Sequence, residues 1–287
     1  MNLRFPLSDV KVELSSEKKM VKNPLYDDGF FRLNQHEFSM HVEGVGWFFA
    51  SGGNYVSVVP YPQVSESSLE VYLNGSTYGA ILHQRKIMPM HGSCFNYGGL
   101  GIMLCGESGA GKSSLTAAFS QKGSHFLTDD VSPMVFPKGS PCILPLSDRI
   151  KLWDDSLNQL HLEKGDLAQI WEDYQKFYLP MDASFKEAYP LNLIFIIDKH
   201  EKPAVKFKAL DGIDCFTALR NEIYRWEYLQ GMPESEAQYL KKLLTISAQV
   251  QVVQVTRPIS IEIDAMRCRL VEFIRNNVLI SADEKSK

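Results

Sequence analysis

Gly101-Ile102-Met103-Leu104-Cys105-Gly106-Glu107-Ser108-Gly109-Ala110-Gly111-Lys112-Ser113-Ser114-Leu115 is the stretch on which the reading turns. Gly101–Cys105 predicts a short apolar strand, and Lys112–Ser120 a helix with Leu115, Ala118 and Phe119 on its inner face. Between them Gly106–Ser113 fits G-x-x-x-x-G-K-[ST] without a gap. With glycine at about 7% of residues, the four fixed positions coincide by chance in roughly one chain of this length in a hundred. The strand before the loop and the helix after it make coincidence rarer still. The residue types answer a chemical need. Glycines let the backbone turn its N–H groups inward with no Cβ in the way. The helix adds its free N-terminal N–H groups and the positive end of its dipole. Lys112 brings a point charge to the β- and γ-phosphates, and the Ser113 hydroxyl is a hard oxygen ligand for Mg²⁺. Gly106, Glu107, Ser108, Gly109, Ala110, Gly111, Lys112, Ser113 and Ser114 form the expected cradle for ATP and Mg²⁺.

Seventeen residues past Lys112, the strand predicted at Phe126–Thr128 ends in Asp129-Asp130. Adjacent acids at a strand end project in different directions. One can hold Mg²⁺, directly or through water, while the other takes a proton from an attacking hydroxyl. Phosphoryl transfer uses both roles, because its catalyst mainly positions groups and neutralises charge. Taken alone, the pair reads equally as a turn starter before Val-Ser-Pro. Fifteen residues ahead of Gly106 stands His91, in Met90-His91-Gly92, a residue type that alone more often serves as a structural hydrogen-bonder.

Further out, Leu191–Ile197 is a near-continuous apolar run, as in a buried central strand, and Val250–Val255 predicts another strand. Helices are predicted over Asp214–Gln230 (Phe216, Leu219, Ile223 and Trp226 inward), Glu234–Ile246 and Ile261–Asn277. Asp155–Tyr178 has helical character through Leu157, Leu160, Leu167, Ile170 and Trp171. Pro133–Pro145 reads as turns joining short strands. Upstream, Phe38, Met40 and Val42 fall on one strand face, and Trp47–Ala50 and Tyr55–Val59 form a hairpin turned at Gly52-Gly53. Ser68–Arg85 has roughly helical spacing, weakened by Gly75 and Gly79. Residues 1–25 are polar and mixed, and are expected to be partly loose. The sum is an α/β fold, with 1–85 as a small β-rich N-terminal lobe and 86–287 as the P-loop core.

The 287 residues, 45% of them hydrophobic, suffice for one large domain carrying a smaller lobe. A net charge of −4 offers no general attraction to nucleic acid or anionic lipid, so neither is an expected partner. The five cysteines include no Cys-x-x-Cys pair, which points away from zinc and disulfides and toward a reducing compartment. The opening MNLRFPLSDVKVEL lacks a signal-peptide pattern. No apolar stretch approaches the ~20 residues of a membrane-spanning helix. A cytoplasmic protein is expected.

Taken together, His91-Gly92-Ser93, the loop block Gly101–Ser113 and Leu127-Thr128-Asp129-Asp130 resemble the catalytic core of bacterial HPr kinase/phosphorylase, whose fold is shared with phosphoenolpyruvate carboxykinase. Leu146–Trp153 and Arg220–Pro258 are similar to the shorter HPr-kinase-related proteins that phosphorylate lasso peptides or free serine. The resemblance implies a P-loop core with a mixed sheet. It implies Asp129 as the base and Asp130 holding Mg²⁺ with Ser113, two roles that exchange readily. His91 would sit beside the acids and orient them. Arg149, on the same strand face as Lys151, would supply the further cation that a kinase uses at its transferring phosphoryl group. Self-association is implied as well, HPr kinases being oligomers. The glycine-rich segment and metal-associated Glu that follow the acid pair in HPr kinases have no counterpart after Asp130, so HPr as substrate and reverse phosphorolysis are not implied. The acceptor expected is a serine-type hydroxyl of a protein, peptide or small molecule. The competing reading is a nucleotide-sensing regulatory protein, which binds ATP and transfers nothing; a pure sensor has no need of a base beside a metal ligand. Arg220 and Arg225 read as helix-surface charges. Trp153, Trp171 and Trp226 read as core residues.

Overall fold

The alternation at Phe38, Met40 and Val42 puts these side chains on the buried face of a strand, around which the first sheet assembles. The computed structural model describes residues 3–171 and 174–279, with the side chains at 171, 174 and 279 outside it. In it β1 (Lys11–Leu14), β2 (Tyr26–Asp27), β3 (Phe31–Leu33), β4 (Glu37–Val42), β5 (Gly46–Ser51) and β6 (Tyr55–Pro60) form a six-stranded sheet in the order β1-β6-β5-β4-β3-β2. The β5–β6 hairpin turns at the predicted glycines. The looseness expected of residues 1–25 does not hold for 3–14: β1 runs parallel to β6, Val10 is buried, and Leu3, Phe5 and Leu7 pack against the sheet's core. These apolar residues are too sparse to make a periodic signal. The free edge of β6 supplies the hydrogen-bond partners that order them.

Ser65 Oγ accepts from Ser68 N and caps α1 (Glu66–Tyr72), which passes through one π-turn (Leu73–Thr77) into α2 (Tyr78–Gln84). A side chain at Gly75 or Gly79 would press on Tyr224, so these glycines serve close packing. The core follows. It comprises β7 (Met88–Tyr97), β8 (Leu100–Cys105), α3 (Lys112–Gln121), β9 (His125–Thr128), β10 (Val131–Val135) and β11 (Cys142–Ile143). Next come β12 (Arg149–Trp153), α4 (Asp154–Gln159), β13 (Gln169–Trp171) and β14 (Tyr174–Pro180). The chain closes with β15 (Tyr189–His200), β16 (Lys206–Ala209), α5 (Gly212–Asn221), α6 (Pro233–Gln249), β17 (Gln251–Pro258) and α7 (Ile263–Ile274).

The second sheet has eight strands in the order β11-β10-β7-β8-β15-β17-β16, with β9 on β7. It is mixed: β8, β15 and β17 run parallel, while β7 and β16 are antiparallel to their neighbours. Both faces are covered, which is why β8 and β15 read as near-continuous apolar runs. Ile102 and Leu104 face one core with Leu115, Phe119 and Leu270, residues of α3 and α7. Met103 and Cys105 face the other with Leu219, Tyr239 and Leu243, residues of α5 and α6. Tyr228 and Met232, from the far end of the chain, complete the core of the first sheet.

Three sequence expectations are corrected. Asp155–Tyr178 is not one helix: α4 stops at Gln159, His161 and Gly165 take positive φ, and β12, β14 and β13 form a small antiparallel sheet. Leu157, Leu160 and Leu167 mimicked a helix stripe because they pack into one cluster with Ile150, Leu152 and Phe177. Asp214–Gln230 is likewise interrupted after Asn221, and Arg225 sits at φ 53°. Trp226 is therefore 44% exposed rather than inward, and Arg225, half-buried, bonds Ser76 Oγ instead of lying on a helix surface. Trp153 is 40% exposed, with the Lys176 ammonium over its ring. The Trp171 side chain lies outside the described residues.

Candidate active site

The loop Gly106–Gly111 leaves the C-terminal end of β8 and enters α3 at Lys112. Its backbone explains its glycines. Gly106 has φ +127° and a Cβ there would collide with the Ile197 carbonyl oxygen, while Gly111 caps α3 at φ +99°. Any other residue at either position is strained. The Lys112 ammonium is buried in the loop, donating to Gly106 O at 2.6 Å, to Glu107 O at 3.1 Å and to His91 Nε2 at 3.0 Å. Lysine offers only donors, so His91 Nε2 accepts and Nδ1 carries the ring proton, 3.2 Å from Asp130 O. Burial pushes the His91 pKa down against the pull of the Asp130 charge, which favours the neutral ring.

The acid pair meets the loop. Ser113 Oγ donates to Asp129 Oδ1 at 2.8 Å, and Lys151 N donates to Asp129 Oδ2 at 3.1 Å. Asp129 is almost fully buried; burial first, and the neighbouring Asp130 charge second, raise its pKa above the usual carboxylate value. Asp130 takes φ 70°, a conformation Asp tolerates better than most residues, and this turns its side chain away from that of Asp129. Its Oδ2 lies 2.6 Å from Lys151 Nζ and its Oδ1 3.6 Å from His91 Nδ1. Burial works against the Asp130 charge, but Lys151 and then His91 outweigh it and hold the carboxyl far below its ordinary value. The same pairing holds Lys151 charged against burial. Lys176 of β14 also faces the acids, its own pKa lowered by burial.

Two cavities meet here. One, of about 210 Å³, is lined by Ser108, Gly109, Lys112, Ser113, Arg257 and other residues around the loop. The other, of about 630 Å³, has walls that include Arg4, Tyr78, Asp129, Asp148, Arg149 and Lys186. Among the described residues, Asp130 and Lys151 alone line both.

The structure thus brings His91, Lys112, Ser113, Asp129 and Asp130 together. Ser114 does not turn its hydroxyl to the loop; it bonds Ser156 Oγ at 2.7 Å and ties α3 to α4. The Glu107 side chain is exposed, and its carbonyl is the part engaged. Arg149 lies apart from the loop cleft. Its guanidinium pairs with Glu70 Oε2 at 2.9 Å and stacks over Tyr178 at 3.9 Å, so it belongs to the larger cavity. Three residues escaped the sequence. Glu222 accepts from Gly106 N at 3.0 Å, and burial raises its carboxyl pKa. Lys176 was hidden in the misread helix. Arg257 donates from Nε to Ala110 O at 2.9 Å. Lys151 had a weak signal, its two-residue spacing from Arg149. Among the described residues no group of three or more His, Cys, Asp or Glu converges as a metal site. Mg²⁺ at such a loop needs none, because hydroxyl, carboxylate, phosphate and water oxygens complete its octahedron.

No protein-family model matches the chain, and no curated protein matches it. Among solved structures it is similar to the Hpr(Ser) kinase/phosphatase from Coxiella burnetii, at 12% identity and a TM-score of 0.37, over 69% of this chain and 94% of that one. No helix among the described residues is long and apolar enough to cross a membrane.

Proposed function

We propose that this chain is an ATP-dependent kinase that transfers the γ-phosphate to a serine-type hydroxyl of a protein, peptide or small molecule, with Mg²⁺ as cofactor. The observation that carries this reading is the 2.8 Å bond between Ser113 Oγ and Asp129 Oδ1, with Asp130 one residue on at the junction of two cavities. A loop that only sensed nucleotide has no use for a second, ionised acid facing a separate cavity.

The geometry favours one of the two exchangeable assignments. Asp129, bonded to the loop serine, stands where Mg²⁺ would be shared by Ser113, one carboxylate and the phosphates. The metal charge would replace the penalty that burial now places on the Asp129 carboxylate. Asp130 then faces the acceptor. Its low pKa makes it a weak base, which suits a loose phosphoryl-transfer transition state in which the acceptor hydroxyl gives up its proton late. Lys151 holds Asp130 in place, and His91, neutral, fixes its backbone carbonyl. Lys112 exchanges the Gly106 and Glu107 carbonyls for phosphate oxygens. The larger cavity receives the acceptor, with Arg149 on its wall.

The test is incubation with γ-labelled ATP and Mg²⁺ in the presence of serine, serine-containing peptides and cell extract, comparing wild type with Asp129→Asn. Label on a serine-type hydroxyl that the variant fails to place supports transfer. Nucleotide binding by the wild type with no label on any acceptor would hand the site to the sensing reading.

A further inference from the structure

Because β8, β15 and β17 are parallel, their C-terminal ends share the edge of the sheet from which the phosphate loop springs. Lys199 and Arg257 are register partners at that edge. A Cβ built on Gly109 would lie 3.4 Å from Lys199 Nζ, and one built on Gly111 would lie 3.4 Å from Arg257 Nη2. Both cations therefore stand directly against the glycines of the loop. Arg257 is half-buried, and its Nε and Nη1 are committed to Ala110 O at 2.9 Å and Pro258 O at 3.1 Å. Its Nη2 donors have no partner among the described residues, and no carboxylate there pairs with Arg257 or Lys199. Arg257 also lines the loop cavity beside Ser108, Lys112 and Ser113. A half-buried guanidinium without a counter-charge among the described residues, set against the loop's glycines, suits an anionic ligand.

We propose that Arg257, assisted by Lys199, clamps the polyphosphate of the bound nucleotide from the strand-end side of the loop, opposite the acid pair. This supplies the extra cation that the sequence reading assigned to Arg149. Arg257 is fixed by two carbonyls before the phosphate arrives, so little side-chain freedom is lost on binding. Lys199, exposed, adds a mobile charge. The proposal rests on the nucleotide-binding half of the kinase reading and not on transfer.

The test is calorimetric titration of MgATP, MgADP and inorganic tripolyphosphate into wild type, Arg257→Gln, Arg257→Lys and Lys199→Gln, repeated at two salt concentrations. Loss of a charge-assisted phosphate contact predicts that Arg257→Gln weakens MgATP and tripolyphosphate by about 10- to 100-fold. Arg257→Lys should retain part of that affinity, and Lys199→Gln should lose about threefold with a shallower salt dependence. Ligand-free melting temperatures check the fold, and the exposed Lys199 keeps the test decisive should Arg257 variants unfold. Wild-type affinity in Arg257→Gln would overturn the proposal. So would equal losses in the Gln and Lys variants with an unchanged salt slope, which would reduce Arg257 to a brace for Ala110. Affinity losses as predicted, in an enzyme that labels no acceptor, would sink the kinase reading and leave the clamp standing. Transfer with variant affinities unchanged would do the reverse.

Discussion

The loop cleft takes its chemistry largely from one short run, Gly106–Ser113, closed by acids 17 residues on. The larger cavity has walls that include Arg4, Tyr78, Asp148, Arg149, Tyr178 and Lys186, residues scattered over much of the chain. On the proposed reading, the difference separates the two tasks of a phosphoryl-transfer site. Phosphate binding is written into backbone geometry and tolerates change at few positions. Acceptor recognition is written into interchangeable side chains, so substrate choice can change without disturbing the donor. Asp130 and Lys151 are the hinge between these two systems.

The comparison breaks first at Lys112. Its ammonium is buried within the loop, and Lys112→Ala should weaken MgATP binding by about a thousandfold, as expected for losing two charge-assisted contacts. Binding within threefold of wild type, measured by calorimetry, would mean the loop does not cradle phosphate.

The scattered side should also carry a pH-sensitive anchor. Tyr78 reaches the larger cavity from α2, and α2 is anchored by His83, fully buried between Tyr224 O and Tyr239 OH. Burial, against the Tyr224 hydrogen bond, lowers the His83 pKa from 6.5 to about 4. The unfolded chain then binds the proton more tightly than the folded one. His83 therefore costs nothing above pH 6.5 and destabilises the fold increasingly as pH falls from 6.5 to about 4, by up to about 3 kcal/mol. Urea unfolding at pH 7 and pH 4.5 should show this slope, flattened in His83→Gln. An equal slope in the variant would contradict the assignment.

The smallest effect sharpens the division. Arg149→Ala should raise the acceptor KM by about tenfold through loss of a wall of the larger cavity, while MgATP affinity stays within twofold. A matching loss of MgATP affinity would place Arg149 at the phosphates after all.

Legibility in the sequence followed the same line. The loop, its strand, its helix and the acid pair were readable because they are contiguous and obey local rules. So were the apolar runs of β8 and β15 and the β5–β6 hairpin. Asp155–Tyr178 was misread because the partner that makes β14 a strand, β12, lies on the far side of α4, and periodicity alone cannot name a distant partner. Arg149 was expected at the transferring phosphoryl group through the family resemblance, and its shared strand face with Lys151 names no partner; in the structure it pairs with Glu70, remote in sequence. Glu222 and Arg257 had no local signal at all. Each reaches the loop across the sheet edge, one from the end of α5 and one from the end of β17.

The central claim, that Asp130 joins a donor cleft to an acceptor cavity, is tested most directly by measuring MgATP affinity and phosphoryl transfer on a single preparation of Asp130→Asn. The account predicts affinity within about threefold of wild type and transfer lowered by about 10³-fold, the scale of a lost general base. Transfer at the wild-type rate, with nucleotide bound normally, would contradict it.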